Sequence, residues 1–352
     1  MGGLVSPLEL AHRLGHEELV IVQDRGAGLH AVIAIHDTTL GVAVGGTRMR
    51  LYPCFDDAVV DALRLARAMT RKAVMAGVER GGGKAVIVAD PAKDKTRVLF
   101  AAYAKAIDRL GGRFQTGCDM GMDSRDFAVL SRLTKYVSHT PPGSRIDTAD
   151  LAALGVYHSM RAAARRLERP LLGLRVAIRG LGQVGYRLAK LLAGDGPRLV
   201  VSDVDASRVD RGVSELGAEA CSAEDIYDEE CEVFSPNAAG GILNDQTIPR
   251  LRCRAVVGGA NEQLEEPRHG DALEARGILY APDYVANAGG LLSLLYEIGE
   301  TDEPGVIRRV QGIGERLDEV WSRSKAEGVP PHTMADRIVE ERLAEARARK
   351  RK

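Results

Sequence analysis

Two lysines twelve residues apart, Lys72 and Lys84, are the side chains of this sequence best placed to do chemistry. At 3.6 residues per turn Lys72 shares a helical side with Leu65, Ala68, Met69 and Ala76, an apolar face on which an ammonium is out of place. Lys84 follows the turn-like triplet Gly81-Gly82-Gly83 and opens a strand-like run to Ala89, where a backbone without Cβ atoms lets a ligand come close. Two like charges around one partly dry space depress each other's pKa, which leaves one lysine as a base near neutrality and the other as an anion clamp. The ordinary alternative is two solvated lysines, Lys72 reaching out along the helix edge. A phosphate loop is excluded, because G-x-x-x-x-G-K-[ST] would need glycine at Val78 and a hydroxyl at Ala85.

A second constellation is Gly180-Leu181-Gly182-Gln183-Val184-Gly185, a G-x-G-x-x-G that follows the buried-type strand Val176-Ala177-Ile178 and opens a helix. Asp203 ends the next strand, Leu199-Val200-Val201. In that context the glycines allow a tight turn, approach of a pyrophosphate to a helix N-terminus and close helix packing, while Asp203 accepts from an adenosine ribose and repels a 2′-phosphate. NAD is the expected cofactor. Asp119, in Gly117-Cys118-Asp119-Met120-Gly121, is either a functional carboxylate or a turn aspartate. Asn261, after the strand Ala255 to Gly258, is either a group at the ligand-binding carboxyl edge or a turn asparagine. His12 and His16 have i, i+4 spacing without a third ligand and read as solvated, so no metal is expected.

The elements that must position these residues follow from periodicity. Leu19 to Gln23, His30 to Ile35 and Leu40 to Val44 read as a small sheet that Gly45-Gly46-Thr47-Arg48 ends, and Phe55 to Ala76 reads as a helix with Asp56 and Asp57 in its first turn. The Pro-, Gly- and Ser-rich segment His139 to Asp150 marks a domain boundary, after which strands and helices alternate as in a parallel sheet, and the last stretch is helical. The expected architecture is α/β: an N-terminal α/β substrate domain (1–145), a C-terminal Rossmann dinucleotide-binding domain (146–328) and a C-terminal helical segment (329–352). A length of 352 residues suits two domains, and 48 basic against 49 acidic residues gives no nucleic-acid or anionic-membrane surface. Five cysteines without C-x-x-C spacing, and no apolar run long enough for a membrane span, lead to the expectation of a cytoplasmic protein with reduced thiols and a small-molecule partner.

With these residues in place the chain resembles the leucine, valine and phenylalanine dehydrogenases of the glutamate dehydrogenase-like superfamily. The resemblance spans almost the whole length and rests on Gly45-Gly46-Thr47-Arg48, on Met69-Thr70-x-Lys72 through Gly81-Gly82-Gly83-Lys84, on Asp119, on the Gly180 fingerprint with Asp203, on Ala260-Asn261-x-Gln263 and on Tyr280-Ala281-Pro282-Asp283-Tyr284 through Asn287-Ala288-Gly289-Gly290. It implies NAD-dependent oxidative deamination of an apolar or aromatic L-amino acid to its 2-oxo acid and ammonia. Lys72 then holds the substrate carboxylate, Lys84 activates the water that attacks an imine, Asp119 relays protons to the amine, and Asn261 positions substrate or nicotinamide. Gly45 and Gly46 fall in the substrate site, and Val44, Met69, Gly117, Leu291 and Leu294 match positions that line the side-chain pocket. A homo-oligomer, dimer or octamer, is implied, with the C-terminal helix packed back on the first domain.

Three segments depart from the family pattern: Thr148-Ala149-Asp150-Leu151-Ala152 lacks a Ser-Pro-x-Thr, Asp119-Met120-Gly121-Met122 lacks a threonine, and Pro236-Asn237-Ala238 replaces a Pro-Cys-Ala. Two further readings therefore stay open: an NAD-binding relative without catalysis, acting as oligomeric scaffold or sensor, and a family enzyme for a biosynthetic-pathway amino acid such as tryptophan.

Overall fold

The computed structural model describes residues 6–138 and 147–351. The chain forms two compact units, Met1–Ser144 with Glu341–Lys352, and Arg145–Glu340. The boundary expected at residue 145 lies outside the described residues.

The first unit contains α1 (Pro7–Leu14), β1 (Glu18–Asp24), β2 (Leu29–Asp37), β3 (Ala43–Arg50), α2 (Phe55–Ala76), β4 (Gly81–Val88), α3 (Arg97–Arg109), β5 (Phe114–Cys118) and α4 (Ser124–Leu130). Its sheet has the order β1-β2-β4-β3-β5. β2 pairs antiparallel with β1 and β4, and β3 pairs parallel with β4 and β5. Both faces are covered. Val32, Ala34 and Val86 meet α1 and the Ala58, Ala62 and Ala66 side of α2, while Ile33, Ile35, Ile87 and Phe114 meet α3 and α4. Strands buried on both faces read as unbroken apolar runs, as β2 does.

Two expectations about glycine-rich segments are corrected. The triplet Gly81-Gly82-Gly83 is the first part of β4 rather than a turn, and β3 continues through Gly45-Gly46-Thr47-Arg48 rather than ending there. What comes close at Gly82 is protein and not ligand: a Cβ there would lie 2.2 Å from the backbone N of Thr70 on α2. The glycine lets the Lys72-bearing half of α2 settle onto the strand that carries Lys84. His16 also departs from its solvated reading, since its ring is half-buried and edge-on to His36, with centroids 4.8 Å apart.

The second unit contains α5 (Thr148–Arg166), β6 (Arg175–Arg179), α6 (Gln183–Ala193), β7 (Arg198–Ser202), α7 (Ala206–Leu216), β8 (Glu219–Ala220), β9 (Val233–Pro236), β10 (Ala255–Val256), α8 (Arg268–Ala275), β11 (Leu279–Tyr280), α9 (Asp283–Ala286), α10 (Gly289–Glu297), α11 (Glu303–Gln311) and α12 (Ile313–Glu327). Its six strands are all parallel in the order β11-β10-β9-β6-β7-β8, so the sequence order reverses between β6 and β9, as in a Rossmann sheet. The last helix, α13 (Pro331–Lys350), begins in this unit and from Glu341 belongs to the first. Among the described residues no helix is long and apolar enough to cross a membrane.

Candidate active site

In the first unit Lys84 stands mid-strand in β4, opposite Ala34, with a side chain only 7% exposed. Its Nζ lies 2.6 Å from Asp119 Oδ2, just past the end of β5. Arg48, from β3, donates through Nε to the same oxygen at 3.1 Å. Burial pushes the Asp119 carboxyl up, yet the Lys84 and Arg48 charges outweigh that and hold it below the ordinary carboxylate range. The other end of Arg48 donates from Nη1 to Asp61 Oδ2 on α2 at 2.9 Å, and the Tyr52 hydroxyl donates to that oxygen at 2.5 Å. Burial and the Asp61 carboxylate raise the Tyr52 phenol, so it remains a donor at neutral pH. The result is a charge ladder, Lys84, Asp119, Arg48, Asp61, that crosses three strands and a helix.

Lys72 is half-buried on α2 beside Ala68 and Met69. Gly45 and Gly46 lie opposite Thr116 and Gly117 in β3, Val44 is buried, and Met69 Cγ comes within 3.4 Å of where a Gly45 Cβ would stand. The structure thus gathers Lys84 of β4, Gly46 of β3 and Gly117 of β5 around Asp119, which follows β5. Sequence reasoning missed Arg48, Asp61 and Tyr52 as members of this group. A signal existed for Asp61, which lies on the Lys72 stripe of α2 through Leu65 and Ala68.

In the second unit the fingerprint joins β6 to α6. Gly180 has φ of 99°, a backbone open to glycine, and Gly182 is the N-cap of α6 without any side-chain cap bond. Among the described residues, the only atom near a Cβ at Gly182 would be Arg208 Nη1 at 3.9 Å, which leaves a cradle at the helix N-terminus beside Gln183, Val184 and Gly185. Unpaired N–H groups and the helix dipole suit a pyrophosphate there. Asp203 is nearly buried and also holds the loop in shape, because its Oδ2 accepts the Leu181 N–H at 2.7 Å. Arg208 Nη1 lies 3.6 Å from the same carboxylate.

Asn261 is exposed beyond the carboxyl end of β10. Its segment is held by three amide side chains. Gly259 N–H donates to Asn237 Oδ1 at 2.9 Å, Gln263 Nε2 donates to the Gly258 and Ala260 carbonyls at 2.9 and 3.0 Å, and Asn287 Nδ2 donates to Asn261 Oδ1 at 3.0 Å. On α10 Leu291 is half-buried and Leu294 buried.

Residues 204–350 match the family described as Glutamate/Leucine/Phenylalanine/Valine dehydrogenase, and residues 16–136 match its "Glu/Leu/Phe/Val dehydrogenase, dimerisation domain". A leucine dehydrogenase from Thermoactinomyces intermedius is 44% identical over 332 residues, 93% of this chain and 91% of that protein. The chain belongs to the Glu/Leu/Phe/Val dehydrogenase family. A phenylalanine dehydrogenase of the same organism is 42% identical over 95% of this chain and 93% of its own. The crystal structure of L-tryptophan dehydrogenase from Nostoc punctiforme superposes with a TM-score of 0.84 at 39% identity, covering 97% of this chain and 99% of that one. As a member of the Glu/Leu/Phe/Val family the protein is an amino acid dehydrogenase, an oxidoreductase acting on CH–NH2 donors, with a Rossmann-like sheet suited to a nicotinamide cofactor.

The three segments expected to depart from the family pattern have defined surroundings. Met122 is buried in the core of the first unit. Thr148 opens α5, and its own hydroxyl lies 3.2 Å from Ser293 Oγ. Asn237 supplies the Gly259 bond just described.

Proposed function

We propose that this dehydrogenase catalyses the reversible, NAD-dependent oxidative deamination of an apolar or aromatic L-amino acid, in the cytoplasm and as a homo-oligomer. The observation that carries the mechanism is the buried contact between Lys84 Nζ and Asp119. Two groups 2.6 Å apart can hand one proton between them, and a buried ammonium is retained only where it is paired. Lys72 holds the substrate carboxylate. Once Lys84 has passed its ammonium proton to Asp119, it takes a proton from the water that adds to the imine carbon, and Asp119 gives its own to the departing amine. NAD, when bound, would supply the acceptor for the α-carbon hydride, so that amino acid, NAD and water give 2-oxo acid, ammonium, NADH and a proton.

NAD is favoured over NADP because the Asp203 carboxylate stands beside the Gly182 cradle, where a 2′-phosphate would meet a like charge. Asn261, tethered by Asn287, serves the substrate or the nicotinamide. Of the positions this reading assigns to an apolar substrate side chain, Val44, Met69 and Gly117 lie in the first unit with Gly45 and Gly46, and Leu291 and Leu294 lie in the second. Self-association is supported by the dimerisation-domain description of the match over residues 16–136.

The test is NADH formation at alkaline pH with leucine, valine, phenylalanine and tryptophan, run with NAD and with NADP. Tryptophan is included because a solved relative carries that name. Lys84→Ala should lower turnover by roughly 10²- to 10⁴-fold, the usual loss for a proton-transfer group. Turnover unaltered in Lys84→Ala would sink the mechanism, and NAD binding without any turnover would favour the scaffold reading.

A further inference from the structure

The charge ladder extends past the two residues assigned to proton transfer. The Arg48 side chain is 14% exposed, and its guanidinium serves two carboxylates at once: Nε reaches Asp119 Oδ2 at 3.1 Å, and Nη1 reaches both oxygens of Asp61 at 2.9 and 3.2 Å. A planar fork with several fixed donors can bridge two acids in this way, whereas the compact ammonium of a lysine acts as a single point charge. Asp61 is in turn held by the Tyr52 hydroxyl. It lies on α2, the helix that carries Lys72.

We propose that Arg48, held by Asp61 and Tyr52, is a positioning residue for the reaction: it fixes the Asp119 carboxylate against Lys84 and ties that pair to the helix bearing Lys72. This rests on the assignment of Lys84 and Asp119 to proton transfer made above. The titratable groups that meet Asp119 are Lys84 from β4 and Arg48 from β3, and those that meet Arg48 are the Asp119 carboxylate, the Asp61 carboxylate from α2 and the neutral Tyr52 phenol from the segment before it. Removing either neighbour of this bridge therefore has a signed consequence. Loss of the Arg48 charge raises the proton affinity of Asp119. Loss of the Asp61 charge leaves the guanidinium wholly to Asp119 and does not raise it.

The experiment compares the pH dependence of kcat/KM in the parent, Arg48→Gln, Arg48→Lys and Asp61→Asn, using the best amino acid of the panel. Arg48→Gln should lower kcat by roughly tenfold or more with KM within about threefold, as expected when a reacting group is displaced rather than binding lost. Its acid limb should move to higher pH. Arg48→Lys should recover only part of kcat, and Asp61→Asn should lower kcat less while its acid limb stays or moves to lower pH. Identical limbs in all four proteins, with activity falling only in step with thermal stability, would reduce Arg48 to a structural brace and overturn the proposal.

A second readout needs no turnover and covers a variant that is inactive. A carboxyl with a depressed folded pKa stabilises the fold above its unfolded value, and that contribution is lost as pH falls through the folded value. The fall in melting temperature between pH 7 and pH 3 should be smaller in Arg48→Gln than in the parent, and an equal fall would count against the clamp. A parent that turns over no amino acid while this difference persists would remove the functional reading and leave the clamp standing.

Discussion

A single amide can set how a loop is held. Asn237, at the reversal point of the second sheet, donates from Nδ2 to the Ser235 carbonyl and hydroxyl at 3.0 and 2.9 Å, and through Oδ1 it accepts the Gly259 N–H at 2.9 Å. The last bond links the end of β9 to the segment that leads into Asn261. Asn237→Ala would strip a half-buried N–H of its partner, a loss of about 1–2 kcal/mol. The urea midpoint should fall accordingly, with the slope of the transition unchanged; an unshifted midpoint would show that the bond contributes nothing. At this scale the sequence was legible in kind but not in pairing. Lys84, Asp119 and the Gly180 turn stand out by residue type and spacing. The bonds of Arg48 to Asp61 and of Asn237 to Gly259 join positions 13 and 22 residues apart through tertiary packing, which local periodicity does not encode.

Among the elements, α2 is the one whose seating matters, because it presents Lys72, Asp61 and Thr70. Its helical span was legible from the apolar stripe and the two acids in its first turn. The glycine half of its strand partner was not, since glycines are poor strand formers, and tertiary neighbours explain why they stand in β4: the Asp37 carbonyl at Gly81, Thr70 at Gly82 and the Phe114 ring at Gly83. Against α2 lies a histidine pair, His36 buried and His16 half-buried. His36 Nε2–H donates to the Leu14 carbonyl at 3.1 Å, so its Nδ1 accepts from the Thr70 hydroxyl at 2.8 Å, and His16 Nε2–H donates to the Leu63 carbonyl at 2.9 Å. Burial lowers both imidazoles, with His36 brought down to about 4. Both rings are then neutral in the fold at pH 7, while the unfolded chain takes up protons near pH 6.5. Stability from this pair is complete above pH 6.5 and declines as pH falls towards 4, by on the order of 3 kcal/mol for His36. Unfolding free energies measured from pH 7 to pH 4 should show that slope, and it should flatten in His36→Gln. An unchanged slope in the variant would assign the acid sensitivity to other groups.

For the molecule as a whole, the first unit is assembled from both ends of the chain. Residues from Glu341 onward belong to it, although the whole second unit intervenes in sequence. Arg347 Nη2 donates to Asp37 Oδ2 at 2.5 Å and Nε to the Thr39 hydroxyl at 3.2 Å, and Arg342 Nη1 donates to the Val74 carbonyl at 3.3 Å. Asp37 ends β2 with a side chain only 6% exposed, and its Oδ1 also accepts the Thr39 N–H at 2.7 Å. Removing Arg347 would leave that carboxylate in a dry place with its cation gone. Because Arg347 itself is 49% exposed, the loss is smaller than for a fully buried pair, on the order of 1–3 kcal/mol. The contact also joins residues 310 positions apart, so it is among the long-range contacts that close late in folding. Arg347→Ala should therefore lower one calorimetric transition, that of the first unit, and leave the second in place. If both transitions fall together by the same amount, the two units unfold as one cooperative body; if neither moves, the charge contact across the chain's two ends contributes no stability.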